Sequence, residues 1–207
     1  MSLRFDHFIY AGPDLDTMIA QFAKLTGVTP AKGGRHPGLG TMNALMSLGP
    51  DIYFELLAVD PSQSLEGNMG GRINALAAPQ LFFYMLTGGK LETVRDAMLK
   101  HGITADLFDA SRTTPDGKTL KWRLLVPHDN PLGFAVPNCI DWLDTVNPAI
   151  TSVPGCTFMS FEMGHPQPDK VRALLADLDA NVPVHYADRL NFRLQIQTPK
   201  GPLYLSS

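Results

Sequence analysis

Cysteine is nearly absent from this chain of 207 residues. The two present, Cys139 and Cys156, are too few for a disulfide framework and lack the paired spacing of a zinc site. Long hydrophobic runs are missing as well: nothing approaches the ~20 consecutive apolar residues that a membrane-spanning helix requires. Neither sign of charge dominates, since 17 Lys and Arg against 20 Asp and Glu leave −3. Without a cluster of Lys and Arg there is no means of neutralising many phosphates, which argues against a dedicated nucleic-acid partner. The opening segment carries Arg4, Asp6 and His7 where a secretory signal would need an unbroken apolar stretch. These absences lead to the expectation of a cytoplasmic protein with reduced thiols and no membrane or nucleic-acid partner. At 44% hydrophobic and 18% charged residues the composition is that of a globular protein, which excludes wholesale disorder.

What is present is an order of elements that recurs. Residues 3–10 read as a strand, followed by Gly12-Pro13-Asp14 and a helix over 15–25. Leu15, Met18, Ile19, Phe22 and Leu25 make a single apolar stripe on it, with Asp14 as N-cap and Gly27 just past its end. A short extended piece at 28–32, a glycine-rich loop and strands at 41–48 and 52–59 complete a β-α-β-β-β order. The order returns with a strand at 80–87, a helix at 91–100 and strands at 105–110, 120–126 and 133–140, with a turn signal at Asp116-Gly117. It returns again with a strand at 156–163, a helix at 169–178 and strands at 182–187, 190–197 and 203–206. Three units are therefore expected, at 1–60, 80–144 and 156–207, forming one domain over 3–207, with segments 61–79 and 145–155 as connectors. Short turns between the last strands of each unit force antiparallel neighbours. The fold class is α+β: repeated βαβββ modules in curved, mixed but mostly antiparallel sheets around a concave cavity, with helices outside.

Alternation along the strands assigns faces. In 41–48, Met42, Ala44, Met46 and Leu48 must pack under a helix, which leaves Thr41, Asn43, Leu45 and Ser47 facing the cavity. Phe5, His7 and Ile9 share one face of the first strand, and Phe8 and Tyr10 the other. Glu55 stands out as a carboxylate amid Tyr53, Phe54, Leu56 and Leu57. A lone buried carboxylate costs several kcal/mol unless it is paired, hydrogen-bonded, neutralised or metal-bound. The plainer accounts are a core histidine satisfied by backbone and an ion pair from Glu55 to a nearby Arg or Lys. Their joint presence on the first and last strands of one unit points instead to a site, either for a divalent metal or for acid–base work. Arg35 and His36, within the run 33–40 that carries four glycines, add donors close to a flexible backbone. That run matches neither a dinucleotide fingerprint nor a P-loop, and an ordered surface loop is its plainer reading.

Asp6-His7-Phe8-Ile9-Tyr10-Ala11 with Pro13-Asp14-Leu15-Asp16 resembles the first strand and helix start of the glyoxalase/bleomycin-resistance proteins, the vicinal oxygen chelate superfamily. Gly34-Arg35-His36-Pro37-Gly38-Leu39-Gly40-Thr41-Met42-Asn43-Ala44-Leu45 and Tyr53-Phe54-Glu55-Leu56 resemble its glyoxalase-like domain family more closely. Further echoes are Pro115-Asp116-Gly117, Leu120-Lys121-Trp122-Arg123-Leu124 and Pro137-Asn138-Cys139-Ile140-Asp141-Trp142, so the likeness spans nearly the whole chain. The resemblance implies βαβββ modules in which a His on the first strand and a Glu on the fourth bind a divalent metal. His7 and Glu55 match those positions. Aligning the helices puts Phe83 and Ser160 at the His position of the other units, and matching the last turns puts Ser206 at a Glu position. Half a ligand set implies a weakly held divalent metal or none. Ser160, Glu162, Arg193 and Gln195 make the third unit polar, so the cavity is expected between units one and three, with Leu81, Phe83 and Met85 facing inward from the second. The expected activity is that of a lyase or isomerase on a small polar or carbonyl-containing metabolite. His7 and Glu55 are the catalytic candidates and the metal ligands; Arg35, His36, Asn43, Glu162 and Arg193 are the substrate-binding ones. The alternative is a small-molecule binding or sequestration protein of the bleomycin-resistance kind, and a homodimer is a further expectation for either.

Overall fold

The computed structural model describes residues 2–113, 117 and 119–207. The first unit consists of β1 (Arg4–Gly12), α1 (Leu15–Thr26), β2 (Ala31–His36), β3 (Thr41–Ser47) and β4 (Tyr53–Val59). Asp14 accepts a hydrogen bond from Thr17 N at 2.6 Å to open α1, and Gly27 closes it in the left-handed region at φ 79°. Leu15, Met18 and Phe22 bury the inner face of α1, whereas Leu25 is exposed, so the expected stripe ends one turn early. After α2 (Met69–Asn74) comes the second unit: β5 (Gln80–Thr87), α3 (Leu91–Lys100), β6 (Thr104–Thr113), β7 (Thr119–His128) and β8 (Asn138–Asp141). The expected strand at 133–140 begins instead as a single 3₁₀ turn at Gly133–Ala135. The expected hairpin turn includes Asp116, which lies outside the described residues. Short α4 (Pro148–Thr151) leads to the third unit: β9 (Thr157–His165), α5 (Pro168–Asp177), β10 (Val184–Tyr186), β11 (Asn191–Thr198) and β12 (Gly201–Ser206). Both expected connectors thus hold a short helix. Among the described residues no helix is long and apolar enough to cross a membrane.

Units one and two share one eight-stranded sheet in the order β2-β3-β4-β1-β5-β8-β7-β6. In each unit the first strand lies parallel to the last, β1 with β4 and β5 with β8, and all other neighbours are antiparallel. The two units join through the antiparallel β1–β5 pair. The third unit forms its own four-stranded sheet, β10-β9-β11-β12. It keeps the order of elements but not their path, because the strand parallel to β9 is β10, directly after the helix. A crossover helix permits a parallel neighbour at once.

The third unit packs on the helix-bearing back of the large sheet at the β1–β5 seam. Phe158 stacks on Phe8 with ring centres 5.4 Å apart, and Phe161 lies 5.0 Å from Tyr84. This corrects the expectation that units one and three enclose the cavity: β5 already occupies the edge of β1, and the third unit covers the opposite face. The cavity belongs to units one and two.

Two bulges where β1 meets β5 break the alternation that assigned faces. The first falls between Phe5 and His7, so Phe5 turns into the core beside Phe8 and Phe161 instead of accompanying His7. The second falls opposite Phe82, so Leu81 goes to the core and Phe82 joins Phe83 on the other side.

Candidate functional site

The concave face of the large sheet holds a cavity of about 700 Å³. That is within the ~300–1,000 Å³ usual for small-molecule sites. Leu45, Leu57, Phe83, Met85, Trp122 and Ile140 make most of its wall apolar, and His7, His36, Asn43, Glu55, Arg112 and Asn138 bring polar groups to it.

Strand register sets the polar end. β1 and β4 run parallel with Ile9 opposite Glu55, which leaves His7 one step along the same face. β3 places Asn43 diagonally across from Glu55. The side chains form one continuous hydrogen-bonded run. Asp6, fully buried, accepts from His7 Nδ1 at 2.6 Å. Its other oxygen accepts from Trp142 Nε1 at 3.0 Å and Asn147 Nδ2 at 2.9 Å, which fixes the carboxylate below the cavity. His7 Nε2 lies 3.3 Å from Glu55 Oε2. Asn43 donates to Glu55 Oε1 at 2.6 Å while its own carbonyl accepts from Gly34 N at 2.9 Å. His36 ends the run, with Nε2 3.4 Å from the Asn43 amide nitrogen and Nδ1 2.9 Å from Thr41 Oγ1. The tautomer protonated on Nδ1 satisfies both His36 contacts. His7 also stacks on Tyr53 at 4.3 Å.

Charge follows from these contacts. Burial alone would lower the His7 pKa, but its hydrogen bonds and proximity to Asp6 and Glu55 outweigh this and raise it to about 9. Burial would raise the pKa of Glu55, but the His7 imidazolium, with help from Asn43, holds it down at about 2. Burial lowers the pKa of His36. Near neutral pH His7 is therefore a cation between two carboxylates, and His36 is neutral. Glu55 thus pairs with His7, and not with an Arg or Lys as the plainer account would have it.

Asp6 was missed in the sequence because alternation turns it away from His7; the first bulge brings the two side chains together. Asn138 lies within the strand expected at 133–140, but only the pairing of that strand with β5 shows that it faces the cavity. With Met85 opposite Asn138 and Ile9 opposite Glu55, Asn138 occupies in the second unit the place Glu55 holds in the first, as Phe83 does that of His7. Arg112, Trp122 and Trp142 were also missed; Arg112 lies beyond the expected end of its strand.

Three expected substrate-binding residues lie elsewhere. Arg35 pairs with the buried carboxylate of Asp60 and donates to Ser62 Oγ. Gln63, bonded to the same carboxylate at 2.8 Å, donates to His36 O at 3.2 Å and accepts from Gly38 N at 2.8 Å. Arg35 therefore braces the turn after β2 and does not face the cavity. Glu162 and Arg193 face each other at 3.6 Å across β9 and β11, largely exposed, on the solvent side of the small sheet. Ser206 pairs with Arg193 at the sheet edge and has no counterpart of the Glu55 position.

The donors do not fit a resident divalent ion. His7 Nε2 and Glu55 Oε2 are the two that face one another, the symmetry positions hold Phe83 and Asn138, and the remaining Glu55 oxygen is bonded to Asn43. Among the described residues no group of three or more His, Cys, Asp or Glu side chains has an arrangement that could hold a metal ion. Zinc sites supply three or four protein ligands.

Two βαβββ units joined edge to edge around a cavity define a glyoxalase-type fold. The chain belongs to the glyoxalase-like domain family, whose model matches residues 5–178. No curated protein sequence matches it. Among solved structures, a hypothetical protein from Staphylococcus aureus superposes with TM-score 0.65 at 16% identity, over 99% of this chain and 85% of that one. A methylmalonyl-CoA epimerase in complex with methylmalonyl-CoA superposes with TM-score 0.52 at 14% identity, over 72% of this chain and 100% of that one. A variant of the Streptomyces coelicolor methylmalonyl-CoA epimerase, in complex with 2-nitronate-propionyl-CoA, gives 0.51 at 15% identity, over 70% of this chain and 98% of that one. At such identities the likeness is one of fold.

Proposed function

We propose that the protein is an isomerase or lyase that moves a proton at the carbon next to a carbonyl in a small metabolite. The observation that carries this reading is the ion pair of His7 and Glu55, fixed by Asp6 and Asn43, at the polar end of an otherwise apolar cavity. In the resting pair Glu55 is too weakly basic to attack a C–H bond. A substrate carbonyl that takes over the His7 Nε2 proton donor changes both partners. The carbonyl gains a cationic hydrogen-bond donor where an enolate oxygen would develop, and Glu55 loses its counter-ion and becomes more basic. Glu55 Oε2 then accepts the proton from carbon, while Asp6 keeps the imidazolium oriented through Nδ1. Return of the proton to the other face completes an isomerisation; departure of a group beyond the enolate completes an elimination. Neutral His36, at the far end of the run, serves in this reading as the second proton-holding group. The epimerases of the same fold support the reading to the extent that such a fold accommodates isomerase chemistry.

The test is exchange of solvent deuterium into the carbon next to the carbonyl across a panel of small 2-oxo acids and acyl derivatives, followed by NMR. Exchange of at least one compound by wild type, reduced a hundredfold or more in Glu55→Gln, is expected. A second reading, sequestration without chemistry, rests on the side chains of the same ion pair being satisfied by one another and by Asp6 and Asn43. Binding of panel compounds with no exchange in any of them favours that reading and overturns the first.

A further inference from the structure

Arg112, near the end of β6, is 6% exposed and lines the cavity. Among the described residues its side chain has no ion-pair or hydrogen-bond partner. The other charged groups of the wall are engaged: His7 with Glu55, Asp109 with Arg123 at 3.7 Å, and Arg72 over the Phe134 ring at 4.8 Å. A guanidinium carries five donors in a planar fork and is costly to bury without an anion. Because no fully occluded side-chain nitrogen among the described residues lacks a partner, the unpaired donors of Arg112 open onto the cavity. Its Nη1 lies 3.5 Å from where a side chain at Gly33 would begin, close to the Asn43 carbonyl, so its fork sits at the polar end of the cavity. The wall beyond is Leu45, Leu57, Phe83, Met85 and Trp122.

The geometry points to a carboxylate-bearing substrate with an apolar body, its carboxylate seated in the fork of Arg112. A planar fork of donors with no anionic partner among the described residues suits a carboxylate in two parallel N–H···O bonds. The inference deepens the proposed function by naming the substrate class, and it rests on the cavity being the ligand site.

Both tryptophans of the chain, Trp122 and Trp142, line the cavity, so their fluorescence reports its occupancy. Wild type is titrated at pH 7 with 4-phenylbutanoate and with 4-phenylbutanamide, which share a shape and differ in charge. The acid is expected to bind at least tenfold tighter. In Arg112→Met that preference disappears while the amide still binds, and Arg112→Lys, retaining the charge without the fork, keeps part of it. Equal affinities in wild type overturn the inference, as does an acid preference that survives in Arg112→Met or an acid that does not bind at all. The wild-type comparison stands even where a variant fails to fold. Acid preference with no deuterium exchange in any compound leaves the anion seat standing and removes the enzyme. Exchange of carbonyl compounds with no acid preference does the reverse.

Discussion

Replacing Glu55 by Gln removes one of the two anions that hold the proton on His7, and the consequence is a change in how stability depends on pH. A group whose pKa is raised by folding stabilises fully below its unfolded value and loses that contribution as pH rises through the folded value. For His7 the loss runs from 6.5 to about 9. A group whose pKa is depressed stabilises above its unfolded value and loses the contribution as pH falls; for Glu55 that loss runs from 4.5 down to about 2. The two windows leave the pair at full strength between 4.5 and 6.5, and they describe a single contact that counts once. The span of the His7 shift corresponds to about 3 kcal/mol at 1.36 kcal/mol per pH unit. Asp6 remains in Glu55→Gln, so the substitution removes about half of this, or about 1–2 kcal/mol. Urea unfolding at intervals from pH 6 to 9.5 is expected to show wild type more stable by about that amount at pH 6. The difference should vanish or reverse at pH 9.5, where wild type keeps a buried carboxylate facing a neutral imidazole. Taking the difference cancels the lysines, tyrosines and cysteines that titrate in both proteins. A constant offset between the two curves from pH 6 to 9.5 would refute the argument.

Two further outcomes follow from the same geometry. In Gly33→Ala the new Cβ would collide with Asn43 Oδ1, so the amide must leave its place between Gly34 N and Glu55. Loss of those bonds should destabilise the protein by about 1–3 kcal/mol by chemical denaturation, with Glu55 titrating higher by carboxyl NMR; an unchanged stability would show that Asn43 carries neither bond. Calorimetric titration with Zn²⁺, Mn²⁺ or Mg²⁺ at pH 7 should show weak binding or none, because an ion must displace the His7 proton to reach two protein donors; one tightly held ion would contradict the donor count.

Much of the site was legible from alternation alone. Asn43 had to face the cavity once Met42, Ala44 and Met46 were committed to the helix side, and His7 and Glu55 stood out as polar groups in apolar strands. What the pattern could not carry was the irregular and the non-local. A bulge adds one residue and reverses every face beyond it, which is why Asp6, Phe5 and Leu81 were misplaced. Unit pairing is decided by which strand takes the free edge of β1, and nothing in the sequence of the third unit marks it as a cover for the back of the sheet. Its polar stripe, Glu162 and Arg193 included, signalled solvent and not a cavity. Arg35 looked like a ligand contact because its partner Asp60 is 25 positions away.

The protonation state of His7 distinguishes a proton-holding ion pair from a metal site or a plain core histidine. It can be read from long-range ¹H–¹⁵N spectra of histidine-labelled protein, with His7→Gln assigning one of the six histidines. Both ring nitrogens of His7 should be protonated at pH 7.5, with titration near pH 9 that moves lower in Glu55→Gln. A neutral His7 with a single protonated nitrogen at pH 7.5, unaffected by Glu55→Gln, would contradict the proposed pairing and the chemistry built on it.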